Sequence, residues 1–299
     1  AVSFQGARST AMREADLVLV VGTRLNWMMQ YGHRFHPDAK IVQIDIDGRE
    51  LGHNRNIDLG IHADAKAAMG QLVAEAEARE GEFADRLESD WVIHLSEDND
   101  RRAEQNAPLL NSDAQPIHPL RLCKEIREFL DRDAIVSVDG NEILHFGRQS
   151  IPTNVPGHRL NSGVTGTMGV GLPYGIGAKL AKPDTQVLVL HGDGSMGQNA
   201  MEIDTAVRHN IPVVTVISNN AGWTARTPGQ RKPGRELGFT KYHEMAEALG
   251  GYGEEVTDPA DIKPALDRAY SSGKAAVINV IVEPTAAGVS RAWGGSRME

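Results

Sequence analysis

The chain has 299 residues, of which 24% are charged and 40% hydrophobic, and its net charge at pH 7 is −9. This balance predicts a globular protein with room for about two domains and argues against a disordered chain. The acidic residues are spread along the sequence without a basic stripe, which argues against a nucleic-acid partner. No apolar run approaches the roughly 18 residues that a membrane span needs, so we expect no membrane partner and a cytoplasmic location.

The N-terminal part of the chain contains apolar runs of the kind that form parallel strands covered on both faces. These runs cover 17–21, 41–46 and 57–61, and an alanine-rich helix is predicted over 65–79. Strand, crossover and strand recur, which is typical of a doubly wound α/β layer. Because an independent sheet has about five or six strands, we expect residues 1–80 to be the C-terminal half of a domain whose remainder lies upstream.

A polar, charged stretch follows, and we predict a linker over 81–115. Beyond it, predicted strands alternate with helical patterns, so a second α/β domain is expected over 116–285. Residues 286–299 are expected to form a tail or lid. The predicted fold class is α/β, with mostly parallel, doubly wound sheets in two domains. The strands predicted in the second domain are 134–138, 186–190, 212–218 and 276–282.

Two of these strands end in side chains that suit a divalent cation. Asp193 stands between two glycines after one strand, and Asn220 follows the end of the next strand. Taken alone, an aspartate between glycines is more often a simple turn. The spacing from Asp193 to Asn220 fits one helix and one strand, however, so neighbouring strand ends would bring the two side chains together. Mg²⁺ binds carboxylate, amide and carbonyl oxygens, and the Gly222 carbonyl would supply a third ligand.

A Gly-Asp-Gly element followed at this spacing by two asparagines resembles the signature of thiamine-diphosphate enzymes. By that resemblance, Asp193, Asn220 and the backbone of Gly222 hold Mg²⁺. Met168 matches the apolar residue that bends the cofactor in one branch of the family. A methionine is more often a core residue, but its glycine-rich surroundings favour the cofactor role here. The residues predicted to bind the cofactor, by this resemblance or by their place at strand ends, are Gly140, Asn141, Glu142, Gly166, Met168, Gly192, Gly194, Ser195, Met196 and Ala221.

Further segments resemble the branch of 2-hydroxyacyl-CoA lyases and oxalyl-CoA decarboxylases, namely 21–27, 44–52 and 159–163. This implies cleavage of a 2-hydroxyacyl-CoA to formyl-CoA and an aldehyde or ketone, or the reverse condensation. It also implies an acyl-CoA substrate and a homodimer or homotetramer. Three alternatives stay open: an oxalyl-CoA decarboxylase, an acetolactate-synthase-like carboligase, and a noncatalytic cofactor-binding subunit.

The polar loop after Asn220 supplies the candidates for catalysis. Glu236 is chosen as the acid/base group because it is the only carboxylate between Asn220 and Tyr242, although solvated loop carboxylates are common. Candidates for contacting the CoA phosphates are Arg231, Arg235, Ser290 and Arg291.

Members of the resembled family activate the cofactor with a glutamate from a pyrimidine-binding domain. We expect that domain to come from upstream sequence or from another subunit. On this expectation, the 299-residue chain alone would be inactive.

Overall fold

A computed structural model describes residues 6–82 and 89–286. The chain divides into two compact units, Ala1–Gln105 and Asn106–Glu299. The division falls inside a long helix, Asp90–Leu110, which lies within the range predicted as a linker. In the two described ranges, no helix combines the length and the apolar composition needed to cross a membrane.

The described residues of the first unit form a three-stranded parallel sheet. Its strands are β1 (Leu17–Val21), β2 (Lys40–Asp45) and β3 (Leu59–His62), hydrogen-bonded in that order. Helix α1 (Arg8–Glu14) precedes the sheet and helix α2 (Ala65–Ala78) follows it. The α/β character and the parallel strands predicted for this region are therefore confirmed.

Strand β1 is an edge strand of the described sheet. Leu17 and Leu19 point to the same face of β1, because side chains two residues apart in a strand share a face. They are 59% and 45% exposed, respectively. The crossover to β2 contains a short 3₁₀ segment, Trp27–Gly32. Helix α3 (Asp90–Leu110) begins in this unit and crosses the division.

Within residues 106–286, the second unit is built on a six-stranded sheet in the order β5-β4-β6-β7-β9-β8, and every pairing in it is parallel. Four of its strands are the apolar runs predicted from the sequence, and two were not predicted. The predicted strands are β4 (Ile135–Asp139), β6 (Val187–Gly192), β7 (Val214–Asn219) and β9 (Ala276–Ile281). The additional strands are β5 (Arg159–Leu160) and β8 (Tyr252–Val256), which form the two edges.

Helices cover both faces of this sheet. Residues of β6 show the alternation, because Leu188 and Leu190 belong to one hydrophobic core and Val187 and Val189 to another. Helices α4 (Pro119–Phe129), α5 (Glu142–Ser150) and α10 (Ile262–Ser271) contribute to the first core. The second core receives residues from α6 (Gly171–Ala181), α7 (Asp193–Asn199), α8 (Glu202–Arg208) and α9 (Tyr242–Ala248). The predicted doubly wound architecture is confirmed.

The strand order places a topological switch between β4 and β6. From β4 the chain moves to β5 on one side, and it then returns to β6 on the other side. In open parallel sheets, ligands bind outside the carboxyl ends of strands at such a switch. The ends of β4 and β6 are therefore the first place to look for a site.

Candidate active site

An open cleft of about 420 Å³, its mouth included, lies at the carboxyl ends of β4, β6 and β7 in the second unit. Most of the residues that the sequence assigned to metal and cofactor line this cleft. They are Gly140, Asn141, Glu142, Met168, Gly192, Asp193, Gly194, Ser195, Asn220 and Gly222. The structure thus brings together residues from three separate strand ends and a glycine-rich loop.

The proposed metal ligands meet at one backbone amide. Gly222 N donates a hydrogen bond to Asp193 Oδ2 at 2.8 Å and to Asn220 Oδ1 at 3.2 Å. Because both oxygens contact the same N–H, they also lie close to each other. A side chain at Gly222 would require the surrounding backbone to shift, since a Cβ there would lie 3.0 Å from the Arg235 carbonyl oxygen. The convergence predicted from the spacing of Asp193 and Asn220 is present in the structure.

The Asp193 carboxyl is buried, with 2% of the residue exposed. Desolvation raises its pKa from the ordinary 3.8 to about 6, against backbone hydrogen bonds from Gly194 and Gly222 that favour the charged form. The positive charge of Arg226 also favours the charged form, but more weakly. The protein alone compensates the negative charge of this buried carboxylate only in part, and a bound cation would compensate it further.

Glycines let the ends of β4 and β6 approach each other. Gly140 has a φ of +131°, where side chains are disfavoured. A Cβ at Gly140 would also lie 3.1 Å from Gly192 N. The strand ends therefore expose backbone rather than side chains, which allows a ligand to come close to the main chain.

A buried polar cluster lies directly behind these glycines. The Ser195 hydroxyl is within hydrogen-bond distance of the Asp139 carbonyl at 3.1 Å and the Gly192 carbonyl at 3.0 Å, and His191 Nδ1 lies 2.9 Å from its Oγ. Complete burial lowers the pKa of His191 to about 3, so the ring is neutral at physiological pH. These contacts fix Ser195 at the floor of the cleft.

Asp139 holds the glycine-rich loop at the other side of the cleft. Its Oδ2 accepts a hydrogen bond from Gly171 N at 2.7 Å, and amides of Gly169 and Val170 also contact the carboxylate. Burial raises the pKa of Asp139, while these backbone hydrogen bonds lower it. The loop that carries Met168 to the cleft is thereby tied to the end of β4.

Several predicted site residues do not line the cleft. The Met196 side chain is buried in the core of the second unit, so that only its backbone is near Ser195. Gly166 is exposed and ends a 3₁₀ turn in the left-handed conformation. Ala221 is buried, with a φ of +57°.

The loop candidates are also outside the lining. Glu236 is exposed, and its carboxylate is 3.7 Å from Nε of the exposed Arg231. The side chain of Arg235 is exposed as well. Ser290 and Arg291 lie outside the described residues. The structure does not bring the Glu236 carboxylate into the cleft, and its acid/base role stays a prediction.

Several apolar residues of the site, and Asp139, were not assigned from the sequence. Pro119, Phe146 and Val282 form apolar parts of the lining, and the Tyr242 hydroxyl donates to the Asp193 carbonyl at 2.9 Å. Asp139 could have been found from the sequence, because it is a polar residue at the end of an apolar strand. No sequence pattern identifies Phe146 as a site residue, because its position depends on how α5 packs against the sheet.

Two family descriptions match parts of this chain. Residues 144–280 match "Thiamine pyrophosphate enzyme, C-terminal TPP binding domain", and residues 2–72 match "Thiamine pyrophosphate enzyme, central domain". The chain belongs to the thiamine pyrophosphate enzymes. Thiamine pyrophosphate is another name for thiamine diphosphate, so the family and the cofactor predicted from the sequence are both confirmed.

Curated relatives of this thiamine pyrophosphate enzyme carry different activities in their names. The acetolactate synthase large subunit IlvG of Mycobacterium tuberculosis is 33% identical over 297 residues, which cover 96% of this chain and 52% of the relative. The 2-hydroxyacyl-CoA lyase of Arabidopsis thaliana is 33% identical over 304 residues, covering 95% and 52%. The oxalyl-CoA decarboxylase of Escherichia coli K12 is 31% identical over 294 residues, covering 95% and 51%. The chain spans about half the length of these relatives, and the nearly equal identities do not select one activity.

The residues of the cleft fit a diphosphate held through a divalent cation. Asp193 Oδ2 and Asn220 Oδ1 converge on the Gly222 amide. The Asp193 carboxyl is buried without a full counter-charge. In the described part of the chain, no group of three His, Cys, Asp or Glu side chains forms a metal site of another kind. One carboxylate, one amide oxygen and a backbone carbonyl suit a hard cation that retains phosphate or water ligands.

Proposed function

We propose that the chain is the cofactor-binding part of a thiamine-diphosphate- and Mg²⁺-dependent lyase that acts on a 2-hydroxyacyl-CoA. The products would be formyl-CoA and an aldehyde or ketone, and the reverse condensation is the same chemistry. The observation that carries the proposal is the convergence of Asp193 and Asn220 on the Gly222 amide at the edge of the cleft. The names of the relatives include this lyase activity.

Thiamine diphosphate, when bound, would supply a nucleophilic carbanion and an electron sink for the cleavage of a carbon-carbon bond. The protein has to bind, orient and shield this group. Asp193, Asn220 and the Gly222 carbonyl would hold Mg²⁺, and backbone at Gly192 and Gly194 would lie near the diphosphate. The Ser195 hydroxyl, fixed by carbonyl oxygens and His191, would contact the same group.

Apolar side chains would exclude water from the reacting end of the cleft. Met168, Phe146 and Trp223 line it together with Val282. A low-dielectric environment favours carbanion chemistry, because it strengthens the electrostatic interactions that stabilise charge in the transition state. Trp223 packs over Gly194, where a Cβ would lie 3.3 Å from the indole ring.

The choice of a CoA substrate rests on the segments that resemble the lyase and decarboxylase branch and on the relatives of those names. The loop after Gly222 adds to it, because Arg231 and Arg235 are exposed cations of the kind that bind phosphate groups. Glu236 in the same loop is the proposed acid/base residue, and it would have to move from its exposed position to reach the cleft.

Cofactor binding is tested by calorimetry on the 299-residue chain. We expect thiamine diphosphate to bind with Mg²⁺ and binding to be lost in Asp193→Ala. Thr205→Ala, a change on α8 outside the cleft lining, serves as the matched control and should bind like the unaltered chain. Equal binding by the Asp193→Ala variant would reject the metal site.

Substrate choice is tested with the chain supplied with a pyrimidine-binding domain. Formyl-CoA release from a 2-hydroxyacyl-CoA supports the proposal. Carbon dioxide release from oxalyl-CoA, or CoA-independent consumption of pyruvate, would instead select one of the two alternative activities. A Glu236→Gln variant with full lyase turnover would remove Glu236 from the mechanism. Tight cofactor binding with no turnover on any of these substrates would favour a noncatalytic subunit.

A further inference from the structure

The loop of residues 221–240, called here the site loop, leaves the end of β7 and returns to it before α9 begins. Its first residues carry the proposed metal ligand Gly222, and its middle is exposed. Residues near its two ends pair with each other, since Trp223 N donates to the Arg235 carbonyl at 2.9 Å and Leu237 N to the Ala221 carbonyl at 3.0 Å. These hydrogen bonds therefore hold the two ends of the site loop together, close to the proposed metal ligands.

One buried side chain holds both ends of this loop. Asn219, the last residue of β7, is 0% exposed. Its Oδ1 accepts a hydrogen bond from Ala221 N at 3.1 Å, at the start of the loop. Its Nδ2 donates to the Thr240 carbonyl at 3.0 Å, at the end of the loop. A single amide group thus bridges residues that are far apart along the chain.

A second buried asparagine completes this arrangement. Asn279 on β9 is also 0% exposed, and its Oδ1 accepts from Asn219 Nδ2 at 3.1 Å. Its own Nδ2 lies 3.3 Å from the Thr240 carbonyl. Both hydrogens of the Asn219 amide therefore have acceptors, which fixes the orientation of the group. Buried amides are costly unless satisfied, so this orientation is strongly preferred.

The contact with Ala221 matters because the backbone there is strained. Ala221 adopts a φ of +57°, a left-handed conformation that residues other than glycine rarely occupy. This turn directs the next amide, Gly222 N, to Asp193 Oδ2 and Asn220 Oδ1. Asparagine side chains stabilise such turns by accepting from the amide two residues later, as Asn219 does here.

We infer that Asn219 is a positioning residue that ties the metal-binding turn to the far end of the site loop, so that metal binding and loop anchoring reinforce each other. The inference rests on the proposed Mg²⁺ site. Asn219 does not contact the metal in this scheme. It acts through Ala221 on one side and Thr240 on the other.

Three variants distinguish the contact of Asn219 with Ala221 from its contact with Thr240. Asn219→Ala removes both contacts. Asn219→Ser keeps an oxygen that can accept from Ala221 N, since serine forms similar turns, but it has no amide to reach Thr240. Thr215→Val is the matched control, because Thr215 lies on the same strand, is also 0% exposed, and has a hydroxyl without a hydrogen-bond partner in the described residues.

The measurements are the Mg²⁺ dissociation constant in the presence of thiamine diphosphate and the rate of trypsin cleavage after Arg231 and Arg235, identified by mass spectrometry. Asn219→Ala should weaken Mg²⁺ binding about tenfold or more, as is usual for residues that orient metal ligands. Both Asn219 variants should be cleaved about tenfold faster in the loop, because cleavage follows the population of the opened loop. Thr215→Val should match the unaltered chain in both measurements.

Cofactor protection gives the decisive result. In the unaltered chain, saturating Mg²⁺ and thiamine diphosphate should slow cleavage in the site loop, and in Asn219→Ser this protection should be lost although the metal still binds. Equal protection in the two proteins would overturn the inference. If the unaltered chain binds neither Mg²⁺ nor cofactor, the proposed function fails. Loop cleavage without cofactor then decides the role of Asn219, with equal rates in Asn219→Ala and Thr215→Val rejecting it.

Discussion

The buried Asp193 carboxyl should make the metal-free protein less stable at neutral pH than an otherwise similar protein with a neutral group. Its pKa of about 6 in the folded protein lies above the ordinary 3.8 of an unfolded chain. The folded state therefore holds the proton more tightly. The stability that this group contributes is complete below about pH 4 and is lost as the pH rises through about 6.

The size of this effect follows from the shift in pKa. At about 1.4 kcal/mol per pKa unit, a shift from 3.8 to about 6 corresponds to about 3 kcal/mol of free energy of unfolding. Asp193→Asn removes the ionisation. It also loses one acceptor for a backbone amide, at a cost of about 1 kcal/mol that does not depend on pH.

The assay is urea unfolding of the chain and of the Asp193→Asn variant, in EDTA, at pH 4 and pH 8. At pH 4 the carboxyl is already more than half ionised in the unfolded chain, so we expect the variant to gain about 2 kcal/mol, rather than the whole effect, relative to the unaltered chain between the two pH values. Added Mg²⁺ and thiamine diphosphate should stabilise the unaltered chain only. A difference in stability between the proteins that is the same at both pH values would refute the reasoning, because the carboxyl would then titrate normally.

Three further outcomes are expected. Gly222→Ala should weaken Mg²⁺ binding about tenfold or more in calorimetry, because the new methyl group would lie 3.0 Å from the Arg235 carbonyl oxygen and displace a ligand-bearing turn. Because burial lowers the pKa of His191 to about 3, from 6.5, the unfolded chain takes up a proton as the pH falls below about 6.5, and stability declines. His191→Asn should reduce that decline in urea unfolding between pH 7 and pH 4. Burial raises the pKa of the Cys123 thiol to about 12, so a chromogenic disulfide reagent at pH 8 should react only after denaturation.

The sequence predicts the central strands of the larger sheet because these strands are apolar on both faces. Strand β6 is covered by helices on both sides, and its continuous run of valine and leucine is typical of a strand that is buried on both faces. Strand β8 was not predicted, because an edge strand is only partly covered and tolerates charges such as Glu254 and Glu255. Strand β5 has two residues and is too short to give a pattern.

Part of the candidate site could likewise be predicted from the sequence, and part could not. The meeting of Asp193 and Asn220 could be predicted, because adjacent parallel strands end at one edge of a sheet. Which face of α7 points inward could not, and Met196 turned out to lie in the core. The apolar lining from Pro119 and Phe146 depends on the docking of two helices, which no local pattern specifies.

Strand β1 has a practical consequence for work with this chain. Among the described strands it lies at the edge of its sheet, and it exposes Leu17 and Leu19 on one face. An apolar strand at the edge of a sheet is a template on which other chains can add strands, and it promotes aggregation. Concentrated samples of the isolated chain should therefore precipitate by edge-to-edge pairing, and a lysine in place of Leu17 should delay this without altering the cleft.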